Sequence, residues 1–428
     1  MHWQLATLAL ILLGFAAISG RIEGTSITAP MVFTVAGVIV GARSLGLIDL
    51  EQHGEEIKLL TEATLTVVLF SEASRIDLRA LRGEAGVPAR LLGIGLPLTL
   101  LAGFVGAVAL IGDLAWPEAL LLAVILAPTD AALGQVVVTS KRLPSRVRQS
   151  LNVESGLNDG ICVPLFFVVL AVAQAEETEA GWPEAVRLVL EELGYGALAG
   201  AGAGAIAAAV VIVAVRRASI APSWLQIVPL AGAALAFGLA QPVGGSGFIA
   251  AFVGGAFFGG LRRREGGNVS YLIDETGALL AAATFIIFGA VLLVPAVESA
   301  TWQAVLYAVL SLTLIRMLPV GLAMIGTGAL RPTVAFLGWF GPRGLASIVF
   351  AVLVLEEGGL PHDDVILVTI FVAIGLSVLA HGLTAAPLAN RYADWFESHP
   401  RDALPSLEGS EVRDVPWRSG MSRSRSRS

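Results

Sequence analysis

Three carboxylates stand where a carboxylate is costly. Asp130 follows Ala127-Pro128-Thr129, and Glu154 and Asp159 bound the stretch Glu154-Ser155-Gly156-Leu157-Asn158-Asp159; both segments lie inside strongly apolar sequence. Ionisable groups at membrane depth persist only where they are buried in protein or line a wet cavity, which makes them functional candidates. The nearby side chains offer oxygen: the Thr129 and Ser155 hydroxyls, the Asn158 amide and the carboxylates. Such a set suits a hard cation. Desolvation makes protonation of a carboxylate compete with cation binding near neutral pH. A single group such as Asp159, holding either H⁺ or Na⁺ but not both, would exchange the two without a further device. The residues therefore point to an alkali-cation and proton site.

The spacing adds to this. Glu154 and Asn158 are four residues apart, as are Ser155 and Asp159, so a helix stacks each pair into one polar strip. Pro128 cannot donate the helical hydrogen bond to the residue four before it and clashes with that carbonyl. The carbonyls near Val124 and Ile125 then need a cation, a water or a side chain as partner. Thr129 and Asp130, just past the break, fit either a capped proline kink or a binding site. Glu154 is expected to be structural, since a charged and unpaired carboxylate is costly. Arg316, stranded in the apolar run from Leu310 to Pro319, is its expected partner. Arg343 and Asp130 are expected to offset the dipole ends of interrupted helices. Other polar residues take plainer roles. Glu62 and Glu72 read as interfacial or pore-lining, His381 as a packed residue or a dimer contact, and Asp274 and Glu275 as helix N-terminal carboxylates.

The elements that must position these groups are membrane spans. The 428 residues are 56% hydrophobic and only 14% charged, with a mean hydropathy of +0.79, so a soluble domain is excluded. Apolar runs long enough to cross a bilayer recur along the chain, and an all-α polytopic protein of about thirteen transmembrane helices is expected. The spans fall near 3–19, 26–42, 59–74, 91–111, 116–139, 149–174, 193–215, 223–240, 246–261, 271–295, 301–328, 333–355 and 365–388. The first lacks a basic leader and is expected as a retained span rather than a signal peptide. Loops after odd-numbered spans carry fifteen Lys and Arg residues against three (Arg43, Lys58, Arg187) after even-numbered ones. The positive-inside rule then puts the N-terminus outside and the C-terminus in the cytoplasm. Residues 391–428, ending in Ser-Arg repeats, read as a short disordered cytoplasmic tail. Cys162 is the lone cysteine, which excludes an internal disulfide, and neither a phosphate loop, an HExxH motif nor a nucleic-acid signature is present.

Two spans are interrupted by glycine and proline: the fifth at Ala127-Pro128-Thr129-Asp130 and the twelfth at Gly341-Pro342-Arg343-Gly344. They are seven spans apart, so two six-span repeats would enter from opposite sides, the inverted-repeat pattern of secondary transporters with two crossing discontinuous helices. Together with Asn152-Val153-Glu154-Ser155-Gly156-Leu157-Asn158-Asp159-Gly160, these motifs resemble the Na⁺/H⁺ antiporters of the NhaP/NHE branch of the monovalent cation:proton antiporter superfamily, over about residues 1–390. The resemblance implies the NhaA-like antiporter fold and a homodimer. It implies a mobile core of residues 91–174 and 301–388, and an interface part of residues 1–75 and 193–295. It further implies that Asp159 exchanges the ions, that Ser155 and the Thr129 backbone complete a Na⁺ shell with Asp130 close by, and that Glu154 pairs with Arg316. Asn158 before Asp159 implies electroneutral exchange of Na⁺ or Li⁺ for H⁺ by alternating access, in the plasma membrane and with no cofactor. Asp130-Ala131-Ala132-Leu133 departs from the Asp-Pro-Val of many relatives, which touches ion preference first. A K⁺/H⁺ antiporter of the same fold is the alternative. From another class, an intramembrane aspartyl protease would use Asp130 and Asp159 as a dyad, but its Tyr-Asp and Gly-x-Gly-Asp motifs are missing.

Overall fold

A computed structural model describes residues 2–22, 24–50, 54–75, 86–130, 133–175, 182–262, 269–399 and 405–409. In chain order the helices are α1 (His2–Ile22), α2 (Ala29–Val40), α3 (Glu55–Arg75), α4 (Gly86–Leu110), α5 (Trp116–Ile125), α6 (Gln135–Thr139), α7 (Ser145–Ala175), α8 (Trp182–Arg216), α9 (Pro222–Ala240), α10 (Gly247–Arg262), α11 (Tyr271–Glu298), α12 (Trp302–Leu312), α13 (Leu314–Ala323), α14 (Arg331–Trp339), α15 (Leu345–Glu357), α16 (Asp363–Glu397) and α17 (Ser406–Gly409). Each of the thirteen expected spans coincides with a helix or a consecutive pair. Among the described residues eight helical stretches are long and apolar enough to cross a membrane, one of them α12 and α13 taken together, and four more apolar helices are shorter. Two of these, α5 and α15, are short because a break cuts their span.

The eleventh expected span is also divided, at Thr313 between α12 and α13. Neither glycine nor proline stands at that point, so nothing in the sequence announced it. The Arg79 and Arg82 loop, the Glu176 to Glu179 loop, Arg263 and Arg264, and the tail beyond Gly409 lie outside the described residues. The tail boundary drawn at 390 falls inside α16, which continues to Glu397. Further on, Glu408 is buried and accepts hydrogen bonds from the Leu330 amide (3.0 Å) and the Thr333 hydroxyl (2.6 Å) at the start of α14.

Two compact units account for the packing. Of the described residues, the first comprises those within 1–61, 86–158 and 282–409, the second those within 62–75 and 159–281. This division reflects packing, whereas the expected core and interface parts are a division by motion, and the two differ at residues 1–61, 159–174 and 282–295.

In the first unit, α2 lies directly on α11: a Cβ at Gly37 or Gly41 would strike the backbone of Ile286 or Ala290. Arg90 donates to the Ala323 carbonyl (2.7 Å) and the Ile325 carbonyl (2.5 Å), capping the end of α13. Buried Glu118 accepts from the Ala115 amide at its own helix start and from the His362 amide, and lies 2.9 Å from the His362 ring. One carboxylate thus ties α5 to the start of α16.

In the second unit, Gly196, Gly200 and Gly204 on α8 face Ser246, just before α10, and Ala250 and Gly254 on α10, main chain against main chain. Small residues at every fourth position let helices approach this closely, which is how membrane helices gain packing energy. Asp274, expected only as a helix N-terminal carboxylate, is buried and also accepts from Ser71 (2.5 Å) and Arg75 of α3.

A β-branched side chain at Gly200 would collide with Ala250, while Gly202 has open space around it. Gly200→Val is therefore expected to lower the thermal midpoint in detergent by an overpacking cost of about 1–3 kcal/mol or more, and Gly202→Val to leave it unchanged. Scanning fluorimetry on both variants checks this.

Candidate functional site

The site begins with a helix that stops early. α5 ends at Ile125, and residues 127–130 run without regular structure, as Pro128 requires. The Val124 carbonyl, expected to need an outside partner, accepts from the Ala127 amide at 3.3 Å, and side chains take up others around the break. Ile125 accepts from the Ser347 hydroxyl at 2.7 Å. Arg343 donates to Ala127 (2.9 Å) and Pro128 (3.3 Å), and to the Ser311 carbonyl at 3.4 Å beside the α12–α13 division. Thr129 accepts from the Ser155 hydroxyl at 2.5 Å.

The second break, residues 340–344 between α14 and α15, meets the first. The Asp130 amide donates to the Pro342 carbonyl at 2.8 Å, and the Asp130 carboxylate accepts from the Leu345 amide at 3.0 Å, at the start of α15. Gly344 is required here, because a Cβ would lie against the Asp130 side chain. The two breaks cross. Arg343 sits beyond the C-terminal end of α5 and Asp130 at the N-terminal end of α15, so each charge lies at the dipole end that its sign favours.

α7 supplies the polar strip. Asn158 Nδ2 donates to the Thr129 hydroxyl at 2.7 Å, and its Oδ1 accepts a long bond from the Thr129 amide at 3.4 Å. The Thr129 amide, hydroxyl and carbonyl are thus all held by α7. Glu154, one helical turn before Asn158, forms a two-pronged pair with Arg316 at 2.5 and 2.8 Å, with both side chains 3% exposed. Gly341 makes room for that guanidinium: a Cβ there would lie 2.5 Å from Arg316 Nε. Asp159, next along α7, is buried and is the first residue of the second unit.

A small pocket opens beside these groups, lined among others by Thr129, Asp130, Ser155, Val137, Phe340 and Pro342. It has room for about one ordered water. Within the first unit, then, the structure brings Thr129, Asp130, Ser155, Asn158 and Arg343 together and joins Glu154 to Arg316. Among the described residues no cluster of three or more His, Cys, Asp or Glu could hold a metal ion.

Three contributors, Ser347, Ser311 and Ser377, escaped the sequence reading, and a fourth, His381, was assigned only packing or a dimer contact. Ser347 and Ser311 are ordinary residues of apolar helices, and nothing in their surroundings marks them. Ser377 and His381 do carry a signal, because with Thr384 they stand at i, i+4 and i+7 on one face of α16. His381 is fully buried in its own protomer, which removes the dimer-contact reading and retains the packed one.

Breaking the Glu154–Arg316 pair leaves a buried charge alone. Arg316→Ala is expected to cost about 3–5 kcal/mol of stability, seen as loss of monodisperse protein in size-exclusion chromatography. The double substitution Glu154→Leu with Arg316→Met is expected to recover most of that loss.

Comparison with known proteins agrees with this geometry. The family described as "Sodium/hydrogen exchanger, transmembrane" matches residues 6–391. The K(+)/H(+) antiporter NhaP of Alkalimonas amylolytica is 25% identical over 424 residues, covering 96% of this chain and 72% of that protein. The K(+)/H(+) antiporter NhaP2 of Shewanella sp. (strain ANA-3) is 25% identical over 387 residues, 89% of this chain, and this chain spans 65% of that relative's length. A Na(+)/H(+) antiporter of Schizosaccharomyces pombe is 26% identical over 349 residues, covering 75% of this chain and 72% of that protein. The solved sodium proton antiporter MjNhaP1 from Methanocaldococcus jannaschii at pH 8 shares the fold, with a TM-score of 0.73 at 20% identity over 89% of this chain and 98% of that one. With its motifs, its crossed helix breaks and a match over nearly all of its spans, this chain belongs to the transmembrane sodium/hydrogen exchanger family: it is a multi-pass membrane cation:proton antiporter, a secondary transporter and not an enzyme.

Proposed function

We propose that the chain exchanges Na⁺ or Li⁺ for H⁺ by alternating access, with the two ions competing for Asp159. The observation that carries this reading is the grip on Thr129. Ser155 and Asn158 hold its carbonyl, hydroxyl and amide in place beside the helix crossing. Asp159 is the next residue of the same helix and is buried. Oxygen donors fixed in advance suit a hard cation, because the site does not have to reorganise when the ion sheds water. On this reading the Thr129 backbone and Ser155 complete the shell around Asp159, and Asp130 acts nearby through the field of α15.

Electroneutral exchange follows from the same groups. Asn158 is uncharged, and Glu154 is committed to Arg316, so one carboxylate carries one cation out or one proton back. In this proposal residues 91–174 and 301–388 move against residues 1–75 and 193–295, which hold a homodimer together in the plasma membrane, with the N-terminus outside and the C-terminus in the cytoplasm. A second reading, K⁺ for H⁺, has its own support: the Alkalimonas and Shewanella relatives are named K(+)/H(+) antiporters. The ligand types present serve either ion.

Proteoliposomes test both points. Asp159→Asn is expected to abolish cation-driven proton movement, and retention of wild-type activity would overturn the assignment. Competition fixes the sign of the pH effect, since a protonated carboxylate cannot hold the cation. The apparent KM for the cation should rise as pH falls, approaching about tenfold per pH unit. Assaying Na⁺, Li⁺ and K⁺ separately, with and without an imposed membrane potential, reads ion choice and charge balance together.

A further inference from the structure

The break in the twelfth span is held from a third side, by a helix that supplies none of the proposed ion ligands. α16 presents Ser377, His381 and Thr384 on one face. The Arg343 amide donates to the Ser377 hydroxyl at 2.7 Å. At the other edge of the break, His381 Nε2 lies 2.9 Å from the Trp339 carbonyl, and the Trp339 indole N–H donates to the Thr384 hydroxyl at 3.0 Å. The imidazole also packs on the indole, with ring centroids 5.1 Å apart. A carbonyl only accepts, and the shorter of the two carbonyl contacts, at Trp339, assigns the hydrogen to His381 Nε2. Nδ1 faces Ser377, 3.3 Å from its hydroxyl and 3.1 Å from its carbonyl. The Ser377 hydroxyl accepts from Arg343 and can pass its own hydrogen to Nδ1.

These contacts bracket the break. Trp339 is the last residue of α14 and Arg343 stands just before α15, so α16 fixes both edges of the non-helical segment. That segment in turn sets the first break: the Pro342 carbonyl receives the Asp130 amide, and Arg343 reaches the Ala127 and Pro128 carbonyls. Thr129 lies between those points. Buried polar groups on an apolar helix are costly unless satisfied, and here Ser377 and His381 meet the backbone of the break, while the half-buried Thr384 accepts from the Trp339 indole at its edge.

We infer that Ser377, His381 and Thr384 form a positioning stripe that sets the geometry of the cation site through residues 339–343, with His381 at its centre. They act on the break and not on the ion, Ser377 and His381 through its backbone and Thr384 through the Trp339 indole. The inference rests on cation:proton antiport, and not on the choice between Na⁺ and K⁺.

The test is transport in proteoliposomes, with apparent KM and maximal rate measured separately for Na⁺ and K⁺ on variants verified as monodisperse. His381→Phe keeps the ring against Trp339 and removes the hydrogen bond. It is expected to raise the apparent KM of the transported cation about five-fold, the effect of one lost hydrogen bond. His381→Gln, which restores an N–H near Nε2, should return to within about two-fold of wild type. Leu379→Ala, on the exposed side of the same helix, should match wild type. A purely structural role would lower the maximal rate or the folded yield and leave KM alone. An unchanged KM in His381→Phe, or no recovery in His381→Gln, overturns the inference. If His381→Phe does not fold, Ser377→Ala is judged by the same KM criterion. Wild-type protein in the same vesicles separates the two failures: if it moves no cation against protons the transport reading fails, and if it does while His381→Phe equals it, only the positioning role fails.

Discussion

A helix interrupted inside a bilayer leaves carbonyls and amides that lipid cannot satisfy, and the crossing of two such interruptions answers to that constraint. Many of these groups find a partner in the other break or on a helix packed against it. Ile125 turns to Ser347, Ala127 and Pro128 to Arg343, and Thr129 to Ser155. The amides of Asp130, Arg343 and Leu345 turn to Pro342, Ser377 and the Asp130 carboxylate. Most of the unusual residues in the region are explained by this requirement before any ion is considered. Gly344 is glycine because Asp130 occupies the space of its side chain, and Gly341 because Arg316 does.

The same economy separates the charges by role. Glu154 neutralises Arg316 in a buried pair, while Asp130 and Arg343 sit at the ends of half-helices whose dipoles they complement. None of these can be removed cheaply: losing Glu154 or Arg316 leaves its partner charged in a low-dielectric interior, and losing Asp130 or Arg343 strips hydrogen bonds from backbone groups of the breaks. Asn158 belongs with them. Its amide gives one donor and one acceptor to Thr129 and brings no charge, and an aspartate there would lose the donor and add a charge. The exchange chemistry proposed for Asp159 therefore draws on a scaffold that is electrostatically settled without it.

Much of this was legible in the sequence, for identifiable reasons. Span positions follow from apolar runs, and the crossing from two Gly/Pro interruptions seven spans apart. The Glu154–Arg316 pair was legible because few other charges lie deep enough to compete. The missed features share a cause as well. The division at Thr313 has no glycine or proline to mark it. Ser347 and Ser311 look like any small polar residue in a membrane helix, and Glu118 like an interfacial one, although it joins the start of α5 to that of α16. Asp274 was read locally, as a helix-start carboxylate, and its bonds to Ser71 and Arg75 arise some 200 residues away in sequence.

The sequence by itself determined the class, the span register, the two breaks and the carboxylates worth watching, because hydropathy, proline geometry and the cost of buried charge act locally along the chain. Only the tertiary structure decided who answers whom. It assigned Arg343 to the carbonyls of the first break, Asp130 to the amide that opens α15, and the Ser377–His381–Thr384 face to the edges of the second break. Those choices depend on which helices lie side by side. Backbone groups carry no sequence label, so the partner that satisfies a freed carbonyl becomes visible only once the helices are packed.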